Sequence, residues 1–326
     1  MTQPLVSIIV PVYNDAAFLS VALQSIASQT LRDFEVVISD DCSSDNSREI
    51  AEEFVRRDPR FRLRINPVNL GMTRNWNCAL QEACGQYIAK LDADDAIREE
   101  TLAHLVAAME GKELPIVANC RTLSCDKMLQ PFCSYRGEWA MIRSRMDPLS
   151  VHCLPGHVWY RMSFDDIQIW HSNAQLHRRE HLLGMGGWDE SWGCAPDTDL
   201  ILRILEQNES VCHVPYTGVL YRHRPGSVSD QYRRQGWLHL ESSLIHLNSL
   251  ARYYARHGRL TPQMKKDWWR LWQNWRNLQA NGYEELCGLR EDIRERLHDR
   301  TAMITPPPWR IRLEGVTRKL ARSIIP

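Results

Sequence analysis

No apolar run in this chain approaches the ~20 residues that a membrane-spanning helix needs, and no basic, apolar leader precedes the first strand pattern, Val6-Ser7-Ile8-Ile9-Val10. The expectation is a cytoplasmic protein whose contact with a membrane, if any, is peripheral. An excess of one charge is lacking as well, because Lys plus Arg and Asp plus Glu both total 40. That balance offers no basic field for a nucleic acid. Ten cysteines occur without a single CxxC pair, so they read as small buried thiols of a reducing compartment, not as a zinc site or a disulfide framework. Neither GxGxxG after the first strand nor a GxxxxGK[ST] loop is present, which argues against a dehydrogenase and against a P-loop enzyme.

What is present is a succession of strand and helix patterns within 326 residues, enough for one large domain with an appendage or for two domains. Val6–Val10 is continuously apolar, as a strand buried on both faces is. Asn14-Asp15 then precedes a helix whose apolar face is Leu19, Leu23 and Ile26. Strands are expected at Glu35–Ser39, Phe61–Ile65, Tyr87–Leu91 and Pro115–Cys120. Helices are expected after Ser44-Asp45, over Asn75–Ala83 and around Leu102–Met109. This order implies an α/β fold, a mainly parallel sheet flanked by helices. From about Lys127 to Gln175 the periodicity weakens, and loops with short strands are expected. Val211–Val214 and Gly218–Tyr221 read as two further strands. Beyond about residue 231 the pattern is helical, which divides the chain into a catalytic-type region 1–230 and a C-terminal helical region 231–326.

In a parallel sheet ligands gather at the carboxyl ends of the strands. There this chain places Pro11-Val12-Tyr13-Asn14-Asp15, then Asp40-Asp41-Cys42-Ser43-Ser44-Asp45, then Leu91-Asp92-Ala93-Asp94-Asp95. Three adjacent carboxylates are costly unless compensated, and a divalent cation is the usual compensation. Asp92 and Asp94 point to the same side of an extended backbone, a pair suited to Mg2+ or Mn2+ shared with phosphate oxygens. The same triplet also fits a solvated loop with Asp95 as a helix N-cap. Tyr13 can stack on a base, and Asp41 can accept the N3–H of uracil or thymine, with guanine also open; either Asp40 or Asp41 also suits a turn.

Together, SIIVPVYND (7–15), ISDDCSSD (38–45), NLGMTRNWNCAL (69–80), GQYIAKLDADD (85–95), GGWDE (186–190), APDTDLILR (195–203) and YRHRPGSVS (221–229) resemble the family 2 glycosyltransferases of the GT-A fold, in the family's order. The resemblance implies a Rossmann-like sheet, a nucleoside-diphosphate-sugar donor such as a UDP-sugar, Mn2+ or Mg2+, and inversion at the anomeric carbon. It implies that Pro11, Tyr13 and Asp41 hold the base, that Asp94 is the main metal ligand, and that Asp92 holds ribose or metal-bound water. Asp197 matches the general base, although Pro196 stands where the family usually has an acid. Independently, a sugar hydroxyl needs a carboxylate to take its proton, while Asp197 and Asp199 also suit a helix N-terminus. Trp188, Asp189 and Glu190 are expected near the acceptor, with Trp188 able to face a sugar ring or to sit in the core. In Tyr221-Arg222-His223-Arg224 the family's usual His is Arg224. Arg222 and Arg224 are then expected on the diphosphate, and His223 at the metal or on the surface.

The reading is an inverting, metal-dependent glycosyltransferase acting on a saccharide or lipid-linked acceptor in bacterial surface-glycan synthesis, with oligomerisation open. A nucleotidyltransferase or a non-catalytic binding module on the same fold are the rivals. Trp268, Trp269, Trp272 and Trp275 recur at helical spacing, as core stripes do. After Pro306-Pro307-Pro308, Leu313, Val316, Leu320 and Ile324 alternate with Arg318, Lys319 and Arg322, a pattern suited to an anionic membrane surface. Truncation after Thr305 should therefore lower co-sedimentation with anionic liposomes. A drop in melting temperature with unchanged liposome binding would instead make the tail a packing element.

Overall fold

The computed structural model of the protein describes residues 3–133, 147, 149–165, 171–234 and 237–280. Its chain divides into two compact units, Met1–Gln231 and Tyr232–Pro326. The first is built on the strands β1 (Val6–Val12), β2 (Phe34–Asp40), β3 (Phe61–Ile65), β4 (Tyr87–Lys90), β5 (Ala96–Ile97), β6 (Val117–Cys125), β7 (Pro131–Cys133), β8 (His152–Pro155), β9 (Gln175–Arg178) and β10 (Ser210–Arg222). They form one sheet in the order β3-β2-β1-β4-β9-β6-β10-β5, with β7 on β6 and β8 on β10. β1 pairs in parallel with β2 and β4, β2 with β3, and β6 with β10. β9 runs antiparallel between β4 and β6.

Helices α1 (Ala16–Ala27), α2 (Ser47–Arg57), α3 (Met72–Glu82) and α4 (Thr101–Met109) connect these strands. Alternation decides which face each residue serves. Val6, Ile8, Val10 and Val12 join Leu19, Leu23 and Ile26 of α1 and Leu102 and Leu105 of α4 in one apolar core. Ile9, Val37 and Ile88, fully buried, point to the other face, where α3 packs on β1 and β2 with Trp76, Ala79 and Leu80 buried. Because both faces are covered, β1 has no polar side chain but Ser7, and its hydroxyl accepts the N–H of Gly85 and donates to Glu35.

Three expectations change. Val211–Val214 and Gly218–Tyr221 belong to one strand, β10, whose register on β6 shifts around Pro215, a residue with no N–H for the ladder. The weakly periodic stretch holds a helix, α5 (Gly156–Asp165), because Trp159 and Tyr160 are fully buried and the Trp159 indole donates to the Val211 carbonyl at 2.8 Å. Cys153 and Cys212, facing each other across β8 and β10, form a disulfide, with Cα atoms 4.1 Å apart. The expectation of isolated thiols fails there because strand pairing joins residues 59 apart in sequence.

The first unit continues with α6 (Arg179–Gly184) and α7 (Pro196–Leu205), and α8 (Val228–Arg234) follows β10. In the second unit α9 (Trp237–His257) and α10 (Pro262–Ala280) pack together. Gly258, at φ +67°, ends α9, and the Thr261 hydroxyl accepts the Met264 N–H at the start of α10. Trp268 and Trp272 are buried, so this part of the tryptophan stripe is packing. The Trp275 side chain, the helical pattern expected beyond residue 280 and the segment that carries Leu313 to Ile324 lie outside the described residues.

Gly85 tests how tightly the site-bearing strands are drawn together. A Cβ there would stand 2.5 Å from the Ser7 nitrogen and 2.7 Å from the Val6 carbonyl carbon, both backbone atoms. Gly85→Ala should cost about 1–3 kcal/mol in denaturant unfolding. An unchanged midpoint would show that the gap between β1 and the turn before β4 can open freely.

Candidate active site

The three acidic loops follow β1, β2 and β4, which are neighbours in the sheet, so their side chains meet at one edge. Hydrogen bonds knit the first two loops together. The Asn14 N–H donates to Ser43 Oγ, that of Asp15 to Ser47 Oγ, and that of Ala16 to Asp45, each at 3.0 Å. The Ser44 N–H donates to Asn14 Oδ1 at 2.8 Å. Asp45 therefore acts as a cap shared by two helix starts, and its pKa is lowered because these donors outweigh its burial.

Tyr13 is 51% exposed beside this junction, while Pro11 is buried within β1. Asp41 is buried and accepts from Asn66 Nδ2 and the Leu70 N–H, both at 2.8 Å, and from the Gly71 N–H at 2.9 Å. A carboxylate offers about four acceptor sites, so one is left for a base N–H. Asn66 also donates to Asn75, which exchanges hydrogen bonds with Ser39. Asp41 thus organises the loop before α3 whatever else it binds.

The acidic triplet is compensated by fixed cations and an amide. Lys90, buried on β4, holds Asp92 Oδ1 at 2.5 Å and Asn173 Oδ1 at 2.9 Å, with its ammonium 4.1 Å above the Trp76 ring. Burial would raise the Asp92 pKa, but the Lys90 charge and hydrogen bond bring it below the ordinary value. Asp95 accepts from the Arg222 N–H and from Asn173 Nδ2. Burial and the neighbouring Asp94 and Asp92 charges raise its pKa strongly. α4 begins at Thr101, so Asp95 is not its N-cap. Arg224 donates from Nε to Asp94 at 2.7 Å and from Nη2 to Asp15 at 2.5 Å. Asp15 is pushed up to about 6, first by burial, then by Asp94 against the lowering effect of Arg224.

Asp197 occupies the first turn of α7 behind Pro196, and its Oδ1 accepts the Thr198 N–H at 2.8 Å. Burial raises its pKa against the Lys90 charge, with Asp92 adding a smaller push upward. The candidate base and the acidic triplet therefore lie within electrostatic reach of one another. Asp199, two residues on, pairs with Arg203 at 2.7 Å, and Arg203 also donates to the carbonyls of Met185 and Gly187. That clamp ties α7 to the GGWDE turn, where a Cβ on Gly187 would meet Asn77 Oδ1 at 2.6 Å.

Several expected residues stand elsewhere. Trp188 is 3% exposed, with its ring edge-on to Trp76 at 5.6 Å, so it is core and not an open sugar platform. Asp189 accepts from Ser191, and the exposed Glu190 accepts from Asn77 at 3.0 Å. Arg222, 6% exposed, donates from Nε and Nη1 to the carbonyls of Asp94 and Lys127, which makes it a brace for the loop, while its buried Nη2 has no hydrogen-bond partner. His223, just past the end of β10, sits against Ser124, Phe132 and the Tyr221 ring. Among the described residues no three His, Cys, Asp or Glu side chains converge as a metal cluster. Asp94 and Asp92 nevertheless supply the hard oxygen donors that Mg2+ or Mn2+ takes alongside phosphate and water.

Lys90, Asn173, Asp15 and Phe18 were not among the expected site residues. A lysine inside an otherwise apolar strand signalled the first, since a buried lysine is almost always paired; nothing in the local pattern signalled Asn173.

The Glycosyl transferase family 2 model matches residues 7–166. The chain is 29% identical over 231 residues to the uncharacterized glycosyltransferase EpsJ of Bacillus subtilis, covering 70% of this chain and 63% of that protein. It is 30% identical over 119 residues to a GalNAc(5)-diNAcBac-PP-undecaprenol beta-1,3-glucosyltransferase of Campylobacter jejuni, covering 36% of this chain and 38% of that one. Both matches thus span less than two thirds of the relative's length. The fold is that of the Staphylococcus aureus TarS fragment 1–349 solved with UDP-GlcNAc, with TM-score 0.63 and 18% identity over 92% of this chain and 82% of that one. It is also similar to the Pyrobaculum calidifontis mannosyltransferase PcManGT solved with GDP-Man and Mn2+, with TM-score 0.52 and 18% identity over 95% and 83%. The sheet and its helices are therefore of GT-A type.

The Lys90–Asp92 pair makes a prediction of its own. Lys90→Met should raise the Asp92 pKa to or above that of an ordinary aspartate, read by carboxylate NMR titration. The stability that pair contributes is present above the unfolded aspartate pKa and is lost as pH falls through the depressed folded value. An unmoved titration in the variant would assign the depression to other partners.

Proposed function

Because this chain carries a family 2 glycosyltransferase domain, we propose that it transfers a sugar from a nucleoside-diphosphate donor, a UDP-sugar, to a hydroxyl of a saccharide or lipid-linked acceptor, with inversion. The observation that supports this reading is that the Lys90 and Asp92 charges both act on Asp197, so that a candidate base lies within electrostatic reach of the acidic triplet. Bacterial surface-glycan assembly is the setting we assign. It is supported by the undecaprenol-linked substrate in the name of the Campylobacter relative.

In the proposed complex the base stacks on Tyr13 and its N3–H takes the last acceptor site of Asp41. Asp94 and Asp92 would hold Mn2+ or Mg2+, which when bound would supply positive charge to neutralise the diphosphate. Asp197 accepts the proton of the acceptor hydroxyl as that oxygen bonds to the anomeric carbon. The bond from that carbon to the phosphate oxygen breaks in the same displacement, and its electron pair leaves with UDP. Attack opposite the leaving group inverts configuration. A raised pKa suits the role, because a more basic carboxylate takes the proton more readily.

Residues 1–230 are assigned to donor binding and catalysis, and 231–326 to acceptor, membrane or oligomer contacts. No helix among the described residues is long and apolar enough to cross a membrane, so the membrane contact we propose is peripheral.

A donor screen that measures UDP release should single out one UDP-sugar. Asp197→Asn should keep donor affinity while turnover falls roughly a hundred- to ten-thousandfold. The parent's kcat should decline on the acid side at a pH above the ordinary aspartate pKa, because protonation removes the base. Near-normal turnover in the variant would reduce Asp197 to a helix-end residue.

A further inference from the structure

Arg224 stands at the position where the resemblance leads one to expect histidine, and its geometry is that of a built-in cation. It leaves the end of β10 and reaches back across the sheet edge to residues 130 and 209 positions earlier in the chain, Asp94 and Asp15. Nε and Nη2 each engage one carboxylate, and the guanidinium carbon lies 4.9 Å from the centre of the Phe18 ring. Three contacts from two segments, the loop after β4 and the start of α1, fix the group, yet its side chain is still 21% exposed. Only two of the N–H donors of the guanidinium fork are used in those ion pairs, leaving others to offer an anion. Asp92, Asp95 and Asp45 are the other acids at this junction; Lys90 is paired with Asp92, and the Arg222 guanidinium donates from Nε and Nη1 to the Asp94 and Lys127 carbonyls, with Nη2 buried and unbonded. Without Arg224, a diphosphate entering here would meet the Asp15 and Asp94 charges directly.

We infer that Arg224 serves as a resident cation of the donor pocket, so that it holds the nucleotide diphosphate even when no divalent metal is bound. Arginine suits the task where histidine would not. Its charge persists at every working pH, and its planar fork matches a pair of phosphate oxygens. Histidine near its ordinary pKa of about 6.5 is mostly neutral at pH 7.5 and serves better as a metal ligand. A metal that binds Asp94 must share that carboxylate with the guanidinium, so metal and Arg224 become partly interchangeable counter-charges. The inference rests on the nucleotide-donor reading given above and deepens it.

The test measures UDP affinity calorimetrically with the full chain, in EDTA and in Mn2+. In the parent, chelation should weaken UDP by less than about tenfold, since a charge-assisted contact to phosphate is comparable in strength to such a factor. Arg224→Ala should lose at least about tenfold in EDTA and recover much of it in Mn2+. Arg224→His should bind UDP only with Mn2+, and circular dichroism should show both variants folded. Binding by the parent that vanishes in EDTA would overturn this inference alone and leave the donor assignment intact, as would EDTA affinity unchanged by Arg224→Ala. Failure of the parent to bind UDP in either condition would overturn both. The parent measurement decides the matter even if a variant fails to fold.

Discussion

Crowding of carboxylates at the ends of β1, β2 and β4 is the constraint on which the rest of the site depends. Asp15, Asp92, Asp94 and Asp95 cannot stay ionised together at one sheet edge without opposing charge. Lys90 and Arg224 supply it as side-chain pairs, while Asp95 is held by the Arg222 N–H and the Asn173 amide. Each cation rests on an aromatic ring, Lys90 on Trp76 and the two arginines on Phe18. Such faces favour cations by their quadrupole and hold the charged heads in place. The polar site and the apolar core are therefore mechanically continuous: Trp188 packs on Trp76, Trp76 carries Lys90, and Lys90 orients Asp92.

That continuity explains why the GGWDE turn belongs to the site although its tryptophan is buried. Asn77 on α3 holds the turn through the Trp188 N–H and carbonyl, and Arg203 holds it from α7. α7 in turn carries Asp197. Pro196 takes the first helical position, where its missing N–H costs nothing. The departure from the family's paired acid leaves Asp197 without an acidic neighbour before it at the helix start. There the helix dipole would lower its pKa, and burial outweighs that effect.

The order of strands and helices was legible because β1, β2 and β4 are apolar on both faces while α2 and α3 repeat every three to four residues, periods that one-dimensional pattern reports directly. Phe61–Ile65 was expected with the bounds observed, and most other elements within a few residues. What the pattern could not report was pairing. β9, of four residues, sits antiparallel between β4 and β6, and only the sheet itself places Asn173 just ahead of it beneath Lys90 and Asp95. Likewise α5 is held by the burial of Trp159 and Tyr160 and by the Trp159 bond to Val211 of β10, a tertiary gain that outweighs weak local periodicity.

By itself the sequence determined the fold class and the chemical type of the site, since a parallel α/β succession must put the residues after each strand at one edge. Its acidic run pointed to Asp92 and Asp94, with a solvated loop as the alternative, and the resemblance to family 2 glycosyltransferases pointed to Asp197, with a helix end as the alternative. Tertiary structure alone decided what each side chain faces. Trp188 turned inward and Arg222 became a brace, because burial and hydrogen bonding act on pairs of elements that are far apart in sequence. It also brought Arg224 onto Asp94 across 130 residues. Coulomb attraction depends on distance in space, and no spacing along the chain encodes that distance.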